Sequence, residues 1–129
     1  MAASYPDDLK YHAEHDWARI DGDTATLGIT WFAQDQLGEL VFFDPPEPGA
    51  QVQKDATYAE VESVKAVSDV IAPMSGEIVQ ANEALRDKPE LVNADPYGDG
   101  WLVRVKLSDP SETDQLMDAA SYRAHIGKG

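Results

Sequence analysis

The stretch Glu60-Val61-Glu62-Ser63-Val64-Lys65-Ala66-Val67-Ser68-Asp69-Val70-Ile71-Ala72-Pro73 decides how this chain reads. It holds two β-compatible runs, 57–64 and 67–72, meeting at a polar and small junction, which predicts a hairpin with Lys65 at or beside its tip. Apolar and polar residues alternate in Tyr58-Ala59-Glu60-Val61-Glu62, so one face of the first strand is buried and the other is wet. A lysine on such a tip joins a rigid mount to a flexible stem, which is what a tethered carrier group requires. Tip lysines are also common solubility devices, so the mount alone assigns no role.

Working outward, turn-forming residues punctuate the first hundred positions: Asp21-Gly22-Asp23, Asp44-Pro45-Pro46, Pro48-Gly49, Ser75-Gly76, Asp95-Pro96 and Gly98-Asp99-Gly100. Between them, 24–30, 40–43, 77–79 and 101–107 read as further short strands. Helix is expected over 31–37, stopped by Gly38, and as a single turn within 85–93, limited by Pro89. A longer helix is expected over about 110–126, where Asp109-Pro110-Ser111-Glu112 offers an N-cap acid, a first-position proline and a capping-box glutamate. Leu116, Met117, Ala120 and Ala124 would share its apolar face, and Gly127 would end it. Gly38-Glu39-Leu40-Val41 recurs as Gly76-Glu77-Ile78-Val79. The recurrence fits two similar β units covering each other in a small pseudo-symmetric sandwich or barrel, and equally a common turn-to-strand entry.

The 129 residues, 43% apolar and 26% charged, fit one soluble domain able to bury roughly two thirds of its unfolded surface. Ten Lys and Arg against 24 Asp and Glu give a net charge of −14, a field that repels phosphate backbones and anionic lipid heads. Nucleic acid and membrane partners are therefore not expected. Without cysteine there is no disulfide, thiolate metal site or cysteine nucleophile, so any sulfur chemistry must come from a prosthetic group. The start, MAASYPDDLK, has neither a basic n-region nor an apolar h-region. A cytoplasmic protein is expected, or a mitochondrial matrix protein in the case of a processed organellar form.

Glu-Ser-Val-Lys-Ala, with Asp69 and then Ala72-Pro73-x-Ser75-Gly76 following, resembles the lipoyl-lysine hairpin of lipoate- and biotin-dependent carrier domains. Val64 and Ala66 stand where biotin carriers usually have methionine, which favours lipoate. Outside the hairpin, His15-Asp16-Trp17, Gly28-Ile29-Thr30, Ala33-Gln34-Asp35-Gln36-Leu37-Gly38, Pro46-Glu47-Pro48-Gly49, Leu91-Val92-Asn93-x-Asp95-Pro96-Tyr97 and Leu116-Met117-Asp118-Ala119 look like the glycine cleavage system H proteins, from about Leu9 to Tyr122. The resemblance implies a single lipoyl-carrier domain over 1–129, core about 9–108. Its fold would be mainly β, a hybrid barrel-sandwich with short helices and a C-terminal helix.

The same resemblance implies a non-catalytic carrier, expected as a monomer, with lipoate in amide linkage on Lys65. It would take an aminomethyl group from glycine decarboxylase (P protein) to the tetrahydrofolate-dependent aminomethyltransferase (T protein) and be reoxidised by dihydrolipoamide dehydrogenase (L protein). Glu62, Ser63, Val64 and Ala66 would be read by lipoylating enzymes, and Glu14, His15, Asp16, Gln36 and Asp69 would line a cleft that parks the loaded arm. Such a cleft answers a chemical need: an aminomethyl thioether collapses when the amine lone pair expels the thiolate, and holding the amine as ammonium beside carboxylates, away from water, removes that lone pair. The family usually has His-Glu-Trp, and the shorter Asp16 reaches less far toward an arm. A related carrier for lipoyl relay or sulfur oxidation, and an unmodified scaffolding domain, are the competing readings.

The remaining candidates read more plainly. Glu60 and Glu62 share a strand face, fitting recognition better than acid–base catalysis. His12 and His15 lack a third ligand at close spacing, so no metal is expected, and Ser63 and Ser68 have no nearby histidine for a triad. Trp17, Trp31 and Trp101 are expected to pack rather than to stack on bases, and Trp31-Phe32 to serve folding before docking.

Overall fold

The apolar alternation sorts the strands into two antiparallel sheets in the computed structural model, which describes residues 5–127. The elements in chain order are β1 (Lys10–His12), β2 (Asp16–Asp21), β3 (Thr24–Ile29), α1 (Trp31–Leu37), β4 (Leu40–Phe43), β5 (Gln51–Val52), β6 (Thr57–Ser63) and β7 (Val67–Ile71). There follow β8 (Gly76–Ala81), α2 (Ala84–Asp87), α3 (Leu91–Ala94), β9 (Val103–Leu107), a 3-10 segment (Pro110–Gln115) and α4 (Ala119–His125). One sheet has the order β1-β2-β3-β9-β8-β5 and the other β4-β6-β7. This is the mainly β, two-sheet carrier fold expected, with short helices and a helix near the C-terminus. The ends of the expected 1–129 domain, 1–4 and 128–129, lie outside the described residues.

Apolar residues from alternate positions build three linked cores. Ala18, Leu27, Met74, Ile78, Val103 and Val105 fill the six-stranded sheet, while Leu40, Phe43, Val61, Val70, Leu85, Val92 and Leu102 join the small sheet to α2 and α3. Tyr58 packs against both. Leu9, Tyr11, Trp17, Ala119 and Tyr122 form the third, where α4 closes over β1.

The four-residue recurrence has a structural counterpart. Leu40 and Ile78 both point inward and Val41 and Val79 both outward, in different sheets. In each copy the pairing register slips across that valine, between Leu40 and Phe42 and between Ile78 and Gln80. A bulge adds one residue and bends the strand, so both copies bend at the same motif position.

Three expectations need correction. β1, β2 and β5 are strands that the composition did not single out. The segment 85–93 forms not one turn but two short helices, α2 and α3, on either side of Lys88 and Pro89. The expected helix over 110–126 is broken: Pro110–Gln115 is 3-10, Leu116 is extended, and Met117 pairs with Tyr11 through two backbone bonds of 2.8 Å. Asp109 accepts from the Ser111 N–H as a cap, but Glu112 closes no box. It accepts instead from Ser75 N–H at 2.7 Å and Ser75 Oγ at 3.0 Å. Helix α4 starts at its own cap, Asp118, which accepts from Ser121 N–H at 2.8 Å. Ala119 and Tyr122, rather than Ala120 and Ala124, are its buried positions.

Candidate functional site

Strands β6 and β7 run in register from Glu60↔Asp69 to Glu62↔Val67, leaving Val64 and Lys65 at the tip. Ser63 N–H donates to Ala66 O at 2.8 Å, closing the turn. The Ser63 hydroxyl oxygen accepts from the N–H groups of Lys65 (3.2 Å) and Ala66 (3.1 Å). A buried serine thus satisfies tip amides that the ladder cannot reach, the local side-chain-to-backbone bonding that makes serine a turn former. Val64 N–H donates to Glu39 O at 3.0 Å, which moors the tip to the residue after Gly38.

That mooring is itself held from α3. Asn93 Nδ2 donates to Gly38 O at 2.9 Å and to Gln34 Oε1 at 3.0 Å, and Asn93 Oδ1 accepts from Leu40 N–H at 2.8 Å. Gly38 ends α1 at φ +83°, a left-handed value suited to glycine. Its missing Cβ would stand 3.7 Å from Lys65 Cε, so the lysine stem passes over this glycine. Among the described residues no carboxylate is within ion-pair distance of Lys65. The ammonium is exposed and uncommitted.

On the outer face of the small sheet, Phe42, Val64 and Val67 are 55%, 68% and 60% exposed beside the exposed Glu60 and Glu62. Phe42, Asp44, Thr57, Glu60, Glu62 and Val67 border an open groove of about 430 Å³. Glu62, Val64 and Ala66 are exposed around Lys65, whereas Ser63 is buried beneath it.

Along one face of α1 lies a tighter cleft of about 140 Å³. Glu14, His15, Asp16, Gln36 and Asp69 all line it, together with Ile29, Phe32, Ala33, Leu37, Val61 and Ser68. The five residues singled out in the sequence therefore converge from the β1–β2 turn, the start of β2, α1 and the edge strand β7. Glu14, Gln36 and Asp69 are exposed at its margins. Asp16, opposite Ile29 in the β2–β3 ladder, is only 2% exposed, and its Oδ2 has no hydrogen-bond partner. Burial pushes its carboxyl well above the usual carboxylate range; the Glu14 charge adds to this and the Ile71 N–H opposes it. The Tyr58 hydroxyl, also buried and without a partner, is raised by burial and by Asp16.

His15 adopts φ +77°, a strained value for a side chain of this size. It is fixed by Tyr122 OH, 2.8 Å from its Nδ1, and by Phe32, whose ring centre is 4.7 Å away. Tyr122 OH also meets Thr30 Oγ1 at 2.8 Å, and that oxygen accepts from Ala33 N–H to cap α1. Burial lowers the His15 pKa, His125 and His12 lower it further, and Glu14 opposes them. His12 turns the other way, to Asp55.

Sequence reasoning missed Phe32, Thr30, Tyr122 and Asn93. Phe32, expected to serve folding before docking, also walls the cleft. Of the tryptophans, Trp17 is fully buried, and its Nε1–H donates to Pro96 O at 3.1 Å. Trp31 and Trp101 are half-buried, the latter beneath the Arg104 guanidinium at 4.2 Å.

Comparison with known proteins agrees with this geometry. The family profile described as Glycine cleavage H-protein matches residues 9–128. The chain is 58% identical over 119 residues to the glycine cleavage system H protein of Halorhodospira halophila, covering 92% of each. It is 50% identical over 126 residues to the probable glycine cleavage system H protein of Haloarcula marismortui, covering 98% of this chain and 99% of that one. The crystal structure of a glycine cleavage system H protein from Mycobacterium marinum superposes with a TM-score of 0.86 at 42% identity, covering 95% of this chain and 98% of that one. With nearly its whole length matched by profile, relatives and fold, this chain belongs to the glycine cleavage H-protein family.

Proposed function

We propose that this chain is the lipoyl-bearing shuttle of glycine cleavage. It carries an aminomethyl group from glycine decarboxylase to the tetrahydrofolate-dependent aminomethyltransferase, and dihydrolipoamide dehydrogenase reoxidises it. The supporting observation is the pairing of an exposed, uncommitted Lys65 on a braced two-residue tip with a nearby cleft lined by Glu14, Asp16 and Asp69. The group attached to Lys65 supplies a dithiol able to hold and release a one-carbon amine.

The chain's own residues do the rest. Ser63 and the Glu39 carbonyl present Lys65 to lipoylating enzymes, with Glu62, Val64 and Ala66 around it and the Phe42–Val67 face beside it. Glu14 and Asp69 set negative charge at the cleft margin, where a cargo amine is held as ammonium. Gln36 offers an amide there, while Phe32, Ile29 and Leu37 exclude water. A cargo ammonium beside Asp16 would favour the ionised form of that buried carboxyl, against the effect of its burial. No helix among the described residues is long and apolar enough to cross a membrane.

Intact-mass measurement after expression in a lipoate-competent host tests the attachment: one lipoyl mass is expected, and none in Lys65→Arg. Reconstitution with the decarboxylase, the aminomethyltransferase and the dehydrogenase tests the pathway. A lipoylated protein that fails to support glycine cleavage would move the chain to another lipoate-dependent route.

A further inference from the structure

The three residues between β1 and β2 carry Glu14 at their centre, and the turn is not self-sufficient. His15 N–H reaches back to His12 O at 2.9 Å, but only with His15 in the left-handed region at φ +77°. The brace comes from the His12 side chain, only 11% exposed. Its Nδ1 lies 3.0 Å from Glu14 N–H and its Nε2 lies 2.6 Å from Asp55 Oδ1. A backbone N–H can only donate, so Nδ1 is the bare nitrogen and Nε2 carries the hydrogen that Asp55 accepts. Asp55 is anchored in turn. Its N–H donates to Ala72 O at 2.8 Å, and its carboxylate takes Lys54 Nζ at 3.1 and 3.2 Å. His12 and Lys54 hold that carboxyl below its usual range.

We infer that His12 is a positioning residue for the cleft: its imidazole pins the amide of Glu14 to the loop that enters β6, and so holds the Glu14 carboxylate at the cleft margin. The inference rests on the reading that the cleft holds the cargo amine. Asp55 supports it from φ +72°, a left-handed position that aspartate tolerates better than most side chains. One side chain thus ties the turn that bears the acid to the loop feeding the strand that ends beneath Lys65.

The test uses His12→Ala, which removes both bonds, and His12→Asn, whose side-chain oxygen still accepts from the N–H two residues on but cannot reach Asp55. In the unlipoylated protein, amide hydrogen exchange at Glu14 is expected to quicken by roughly tenfold in His12→Ala and to return most of the way in His12→Asn. In the lipoylated, aminomethyl-loaded protein, formaldehyde release is expected to quicken severalfold in His12→Ala. Glu14→Gln should match it, and the double variant should be no worse than Glu14→Gln alone. Unchanged Glu14 exchange in His12→Ala, or additive losses in the double variant, would overturn the positioning role. Unchanged release in Glu14→Gln and Asp69→Asn would instead overturn the cargo reading. If His12→Ala does not fold, Asp55→Gly, which removes the His12 and Lys54 partners of that carboxylate, leaves the Nδ1 bond to Glu14 in place and suits the left-handed φ, decides the same point: unchanged Glu14 exchange there refutes the brace.

Discussion

Asp16 shows what folding does to a single carboxyl. In the unfolded chain it titrates near pH 4, whereas in the fold its raised pKa keeps the proton to higher pH. Below about pH 4 both states are protonated and Asp16 contributes nothing to the pH dependence; above it the unfolded state binds fewer protons, so stability falls as pH rises until the folded group also ionises. Asp16→Asn is therefore expected to gain in denaturant midpoint over the parent protein as pH climbs from about 4 to 8, and a constant difference would show that Asp16 does not titrate in this way. Gly28 faces Trp17 across the β2–β3 ladder, and a Cβ there would lie 2.6 Å from the indole Cε2 and Cζ2. Gly28→Ala should cost about 1–3 kcal/mol by chemical denaturation, with a shift in tryptophan emission. Lys65 stood out from its place at a hairpin tip, whereas Glu14, Asp16 and Asp69 were named through the family resemblance, and the fold brings those three to one cleft. Phe32 and Tyr122 were not legible as site residues, since an aromatic reads as core whether it walls a cleft or fills one.

Two elements carry opposite lessons. The β6–β7 hairpin was legible almost to the residue because everything that forms it is local: alternation, a small junction and a serine that bonds its own turn. Ser63→Ala is expected to cost about 1 kcal/mol and to slow lipoate attachment, with Ser63→Thr restoring much of the loss, measured as initial rates with one ligase. The C-terminal segment misled because its capping signals were answered elsewhere. Glu112 found Ser75 across 37 positions, and Met117 joined Tyr11, so a run of good helical residues split into a 3-10 turn, an extended link and seven residues of helix. That helix nevertheless reaches the site through Tyr122. Tyr122→Phe removes the hydroxyl shared by His15 and Thr30 and should cost about 1–3 kcal/mol by thermal or denaturant unfolding, because it leaves partly buried polar atoms unpaired.

At the scale of the molecule, the net charge is −14, and the lipoylation proposed for Lys65 would make it −15. A field of this sign either serves solubility or steers the chain toward basic active-site mouths and raises encounter rates. Transfer from the decarboxylase is expected to slow as salt shortens the screening length from about 30 Å at 0.01 M to about 3 Å at 1 M, and a flat profile would rule out steering. The primary structure alone determined the β6–β7 hairpin, the lysine at its tip, the acidic field and the mainly β class, because these depend on short-range pattern and on charge, which folding redistributes but does not create. Only the tertiary structure decided that Glu14, Asp16, Gln36 and Asp69 share a cleft of about 140 Å³, that Asp16 Oδ2 is buried without a partner, and that His12 and Tyr122 brace the turn between them. Those facts depend on which distant segments meet, and burial, hydrogen-bond partner and pKa are properties of the meeting rather than of any stretch of chain.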